Sequence, residues 1–165
     1  MSNQLLHTNM KLVGYRIGDT YCISPSRSLE ALDSLPKTMS QVPGTKPWVL
    51  GVGRLGRELV AFISAGRLLS IPRSANQQAI GSDIALFVKG DHRVGTIGLV
   101  VDEVVSFISG SDVEDHQDPD LKLPPGLGAC VRGTVRDTVS GIKRTWAVVD
   151  LKAVLSDPKL QKIDL

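Results

Sequence analysis

Aromatic residues are scarce in this chain, 4% of its 165 residues, with two tryptophans, two tyrosines and three phenylalanines. Surfaces that grip single-stranded nucleic acid stack bases on aromatics set among lysines and arginines, so that class of partner is disfavoured from the outset. Cysteine is nearly missing as well. Cys22 and Cys130 lie far apart and fit no zinc or redox spacing, so two reduced, buried thiols are expected. No apolar run approaches the roughly eighteen residues of a membrane span. The opening MSNQLLHTNMKLVGYRIG lacks the basic start, apolar stretch and cleavage site of a secretion signal. A cytoplasmic location without membrane insertion is the default expectation.

Charge of one sign is also lacking, because the net value is only +2. That value conceals a division. Residues 1–82 hold nine Lys/Arg against four Asp/Glu, residues 83–120 two against nine, and residues 121–165 eight against four. Such a chain can fold with one face of each sign, which steers protein partners, or can simply solvate its loops.

What is present is a chain 42% apolar, enough for one folded domain or two small subdomains sharing a core. Val13–Ile17, then GDT, then YCIS predict a hairpin turning at Gly18 and Asp19. Ser26–Leu35 places Leu29, Leu32 and Leu35 at helical spacing before Pro36, and fits a short helix or an irregular strand equally. Glu58–Ser64 predicts a buried strand, and SAGRLLSIP a helical turn stopped at Pro72. Arg73–Asp83 is polar and unpatterned, a linker loop. IALFVKGDHRVGTIGLVVDEVVSFI predicts a strand, a turn and one long β-branched strand. Asp115–Gly128 is rich in Pro, Gly and Asp and reads as a loop, and a further strand pair surrounds DTVSGIK. DLKAVLSDPKL predicts a short helix capped by Asp150 and closed by Pro158. Short strands, frequent turns and few helices predict a mostly β fold of closed or nearly closed barrels. A single domain over 13–157 is expected between tails at 1–12 and 158–165.

Candidate chemistry is thin. The histidines are His7, His92 and His116. Cys130 with His116 and Asp118 would make a thiol triad, yet nothing in the sequence brings them together and Cys130 opens an apolar strand. Ser111–Asp120 concentrates five carboxylates and a histidine, but not in the order of a calcium loop. No phosphate-cradling glycine motif occurs. No catalytic residue, metal or cofactor is therefore expected, and protein binding is the favoured class. A small-ligand-sensing barrel and a Cys130 enzyme are the rivals.

The stretch VPGTKPWVLGV running into GRELVAFI resembles the centre of the CheW-like family, roughly V-P-x-x-P-x-W/Y-x-x-G-V-x-N-x-R-G-x-x-x-P-V-x-D-L. VGTIGLVVDEV, CVRGTVR and TWAVVDLKAVL resemble its later strands, in the same order, from about Gly14 to Leu155. The resemblance implies two five-stranded, SH3-like barrels with short helices. It also implies an adaptor that joins a chemoreceptor's cytoplasmic tip to the regulatory domain of a chemotaxis-type histidine kinase, at membrane-associated receptor arrays. The wording GYRIG and VPGTKPWVLGV is similar to family members of type IV pilus (twitching motility) pathways. Self-association into a homodimer stays open, as does an inhibitor that binds the kinase alone.

On this alignment Leu29 and Glu30 map near a partner-facing groove between the barrels, or else pack in the core and face solvent respectively. The family's Asn, Arg and Gly fall on Arg54, Gly56 and Arg57, so the coupling guanidinium is either supplied from Arg54 or Arg57 or lost. Arg132 matches a second interface charge. Pro43 and Pro47 stiffen the approach to Trp48, a core anchor, and Gly51 and Gly53 let the chain bend. Asp102 and Glu103 match the VDEV element, as hydrogen-bonding residues of the barrel or as contacts.

Overall fold

In the computed structural model, which describes residues 10–36, 39–72, 84–90, 95–139 and 144–161, the chain forms two β-sheets. The first contains β1 (Lys11–Ile17), β2 (Thr20–Pro25), β8 (Glu103–Ser109), β9 (Val113–Asp115), β10 (Val131–Asp137) and β11 (Thr145–Val149), in the order β8-β1-β2-β11-β10-β9. The second contains β3 (Ala31–Ser34), β4 (Val49–Leu55), β5 (Glu58–Ser64), β6 (Ile84–Lys89) and β7 (Thr96–Val101), in the order β3-β6-β7-β5-β4.

The two sheets share a plan. Each sets one hairpin parallel to another, through β2 and β11 in the first and β5 and β7 in the second. Sheet one has six strands where five are expected, because its outermost strand is split. β8 pairs with β1 and β9 with β10, and only the 3-10 turn Gly110–Asp112 separates them. In sheet two, Ser40 bridges to Val52 of β4 beyond β3, which carries the chain from one edge of the sheet to the other.

Three apolar clusters follow from the strand alternation. Leu12, Ile23, Trp146 and Val148 pack within the first sheet, and Val60, Phe62, Phe87 and Val100 within the second. The largest cluster lies between the sheets, where Tyr15, Ile17 and Cys22 meet Ile63, Leu86 and Leu99. The core exceeds 13–157: Leu12 is fully buried, and Leu160 packs into the central cluster.

Several local expectations hold. The first hairpin turns at Gly18-Asp19, the helical turn expected before Pro72 forms as α1 (Ala65–Leu68), where the structure adds a cap from Ser64 to Arg67 N–H, and Asp150 caps α3 (Leu151–Leu155). Others are narrowed or corrected. Ser26–Leu35, open between a helix and an irregular strand, resolves toward the strand, a 3-10 turn at Ser26–Ser28 followed by β3, since pairing with β6 satisfies its backbone. Within the Asp115–Gly128 loop, α2 (Pro125–Gly128) forms a single turn. Pro158 opens α4 (Pro158–Gln161) rather than ending α3, a position where its missing N–H costs nothing. The long strand through VDEV breaks at Asp102, so β7 belongs to sheet two and β8 to sheet one. Gly51 and Gly53 do more than bend the chain. The register does shift between Val49 and Gly51, but a Cβ on Gly53 would stand 2.7 Å from the Phe62 ring, and one on Gly51 3.0 Å from Met39 and Ser40. The linker Arg73–Asp83, His7, His92 and parts of the KGDHRVG and DTVSGIK turns lie outside the described residues.

Candidate functional site

The stretch Val42–Trp48 is pinned at both ends. Thr45 Oγ1 donates to Val42 O at 2.8 Å, and Trp48 O accepts Ser64 N–H at 2.8 Å. Trp48 is 7% exposed and packs in the central cluster, while Pro43 and Pro47 face solvent. Pro47 O accepts Arg67 Nη1 at 3.1 Å. That bond ties the proline turn to α1 and holds the Arg67 guanidinium at the mouth of a cavity.

This cavity, about 350 Å³, sits on the seam between the sheets. Gly18 contributes from the first hairpin, Leu50 and Ser64 from sheet two, Arg67 from α1, and Asp102 from the crossover. Asp102 Oδ2 is already engaged with Gly18 N–H at 2.6 Å.

The arginines taken as contact residues lie elsewhere. β4 and β5 meet in a two-residue turn, Gly56-Arg57, closed by the Leu55–Glu58 pair. Arg54 is four residues along β4 from Leu50, roughly 13 Å, and Arg57 is farther out at the tip. Gly56 has φ +62°. An arginine in the family's place would hold that left-handed backbone at a cost of about 1–2 kcal/mol, so a guanidinium here is easier to carry at Arg54 or Arg57. Both are exposed.

Arg54 stands directly opposite Leu59, so their side chains share a face of the hairpin. Leu59 is 66% exposed, yet Ala61 and Ile63 of the same parity lie in the central cluster. The apolar stripe thus runs out of the core into solvent between two arginines. Sequence reading missed Leu59, because strict alternation marks which face a residue shares but not where the covering layer stops. Phe107, 72% exposed and opposite Val13, was missed for the same reason.

The remaining candidates are dispersed. Leu29 is half-buried against the central cluster, and Glu30 is exposed, its N–H given to Phe87 O at 2.8 Å. Arg132 pairs with Asp150 at 3.4 Å and donates to Ala129 O at 3.2 Å, so it braces the start of α3. Glu103 accepts from Arg16 Nε at 3.2 Å. Asp102 and Glu103 therefore bond within the fold.

Among the described residues no cluster of His, Cys, Asp and Glu is arranged to hold a metal. In the acidic loop, Asp118 is occupied by Asp120 N–H and the Thr145 hydroxyl. Burial, then the nearby Asp157, pushes the Cys130 thiol up, the wrong direction for a nucleophile. Burial raises Cys22 far more, and Tyr15 well above its ordinary value. A dithiobis(nitrobenzoate) disulfide at pH 8 should leave both thiols unreacted in the folded protein and titrate two after unfolding. Rapid labelling of Cys130 in the native state would restore the enzyme rival. The same shifts set a pH dependence. A folded pKa above the unfolded one gives stability that is full below the unfolded value, near 9.0 for a thiol, and lost as pH rises through the folded value. Melting temperature should therefore decline above about pH 9.

These features define a class: a mostly β domain of two similar sheets joined by a common core, with an exposed leucine beside a basic hairpin tip. The family model of the CheW-like domain matches residues 11–159, and the chain belongs to that family. The solved structure of the scaffolding protein TtCheW from Thermoanaerobacter tengcongensis is similar, with a TM-score of 0.67 at 14% identity over 92% of this chain and 95% of that one. A search of curated proteins finds no match.

Proposed function

We infer that this protein is a non-catalytic adaptor that binds a chemoreceptor's cytoplasmic tip and the regulatory domain of a chemotaxis-type histidine kinase. Membership of the CheW-like family over residues 11–159 carries this reading. Tethering both partners on one small domain raises their concentration for each other, which is work that needs surfaces rather than an active site. In its finer form, the pathway is type IV pilus twitching motility and the protein sits on the cytoplasmic side of receptor arrays. That form rests on the wording GYRIG and VPGTKPWVLGV.

The β4–β5 tip supports one of the two contacts. An exposed leucine between arginines suits an apolar side chain bordered by carboxylates, because the guanidinium fork binds a carboxylate with two donors. Separate titrations with the kinase regulatory domain and the receptor tip test the reading. Both should bind, and Leu59→Asp should weaken one of them at least about thirtyfold, the scale of a central hot spot. Arg57→Ala or Arg54→Ala should weaken the same one, by less. Kinase binding alone would indicate the inhibitor, and binding to neither would end the adaptor reading. The seam cavity, near the lower end of ligand-pocket sizes, supports a second reading as a small-ligand sensor, which a metabolite retained through purification would favour.

A further inference from the structure

The chain crosses between its two sheets twice, first from β2 to β3 and then back from β7 to β8, and the return is made at one residue. β7 ends at Val101 in sheet two, β8 begins at Glu103 in sheet one, and only Asp102 lies between. Around that crossover four hydrogen bonds converge on the end of the first hairpin. Asp102 N–H donates to Arg16 O at 3.0 Å, and Gly18 N–H donates to Asp102 Oδ2 at 2.6 Å. Arg16 Nη1 donates to Gly18 O at 2.6 Å, and Arg16 Nε to Glu103 Oε1 at 3.2 Å. Arg16 is 5% exposed, though it is a full charge on a strand whose neighbours are apolar.

We propose that Arg16, with Asp102 and Glu103, is a positioning group that fixes the angle between the two sheets, and through it the relative placement of the two partner-binding surfaces. The physical reason is the different character of the two kinds of contact at the seam. The central apolar cluster holds the sheets together, but burial of apolar area is non-directional and tolerates small rotations. Hydrogen bonds are directional, and those of a charged guanidinium more so, because its donors are fixed in one plane. Burying an arginine beside the partly exposed Glu103 carboxylate gains little stability over an apolar residue, so its value lies in specifying one geometry. Gly18 and Asp102 also line the seam cavity, so the tie forms one wall of that cavity.

The geometric claim stands on the fold alone, and its consequence for assembly rests on the adaptor reading. The test places spin labels at Glu114→Cys on β9 of sheet one and Lys89→Cys at the end of β6 of sheet two, both exposed. The native thiols are buried and stay unlabelled. Pulsed dipolar distances are then measured with Arg16 intact and with Arg16→Met. The intact protein should give one narrow distance, and Arg16→Met a broadened or displaced one while it still melts cooperatively. Glu103→Ala removes a half-exposed partner with little risk to folding, and should broaden the distribution less. A distance distribution unchanged in both mean and width in a folded Arg16→Met or in Glu103→Ala would overturn the proposal.

With partners, Arg16→Met should bind each alone within about threefold of the parent, yet lose at least tenfold in forming the three-component complex. Parallel loss of both separate affinities would overturn the positioning role in favour of damage to the surfaces. If the parent protein binds neither partner, the adaptor reading fails, and the label distances still decide the geometry.

Discussion

Replacing Trp146 by alanine should cost about 3–5 kcal/mol, a large part of the 5–15 kcal/mol that holds a typical domain folded. Trp146 on β11 is 1% exposed and is the largest fully buried side chain. Its ring lies against β1 so closely that a Cβ on Gly14 would stand 2.7 Å from two ring carbons. Tyr21 meets it edge-on, with centroids 5.8 Å apart, and the Arg144 guanidinium covers Tyr21 at 4.0 Å. Alanine would leave a void bounded by sheet strands, whose backbone cannot collapse into it without breaking ladder bonds. Trp146→Phe separates area from polarity. The indole Nε1 is buried without a hydrogen-bond partner among the described residues, so removing it forfeits no bond. Phe should therefore cost much less than Ala. Urea unfolding of the three proteins checks this, and a Trp146→Ala loss under about 1 kcal/mol would refute the account.

The second large effect is expected in the other sheet, from adding atoms. Phe62 is held between Gly53 and Gly98, where a Cβ at either position would stand 2.7 Å from a ring carbon. Phe87 closes a further side edge-on, at 5.8 Å. Gly98→Ala should destabilise by about 1–3 kcal/mol, because the ring has no free direction of retreat. Phe62→Leu alone should also destabilise, but the double variant Gly98→Ala with Phe62→Leu should be more stable than the two single costs predict when added. A thermodynamic cycle reads that coupling, and strict additivity would mean that the ring and the glycine do not meet.

The glycines show where local reading succeeds and where it stops. A glycine beside a predicted turn announces a bend, and Gly18 occupies one. Gly53 and Gly98 instead answer a side chain on a neighbouring strand, β5, which is set next to β7 only by a parallel pairing remote in sequence. The proline-tryptophan stretch was legible because prolines restrict their own backbone and tryptophan seeks burial wherever the chain goes. Arg16 was not. Within KLVGYRI it looks like a solvated charge on the outer face of a hairpin, and only closure of the sheet and arrival of β8 make its surroundings an interior. The candidate contacts were likewise seen as residues but not as a surface. Arg54 and Arg57 stood out as candidates, the exposed Leu59 beside them did not, and the seam cavity proved to be a separate place.

By itself, then, the sequence determined what depends on near neighbours: the strands and their turns, the cap at Asp150, the inert thiols, and a family pattern of motifs in order. The tertiary structure alone decided what depends on residues far apart in the chain. It assigned β7 and β8 to different sheets, enclosed Arg16, set Phe62 between two glycines and ended the apolar stripe at Leu59. The physical reason is that alternation and turn chemistry are short-range, whereas burial is the result of which distant strand arrives to cover a face.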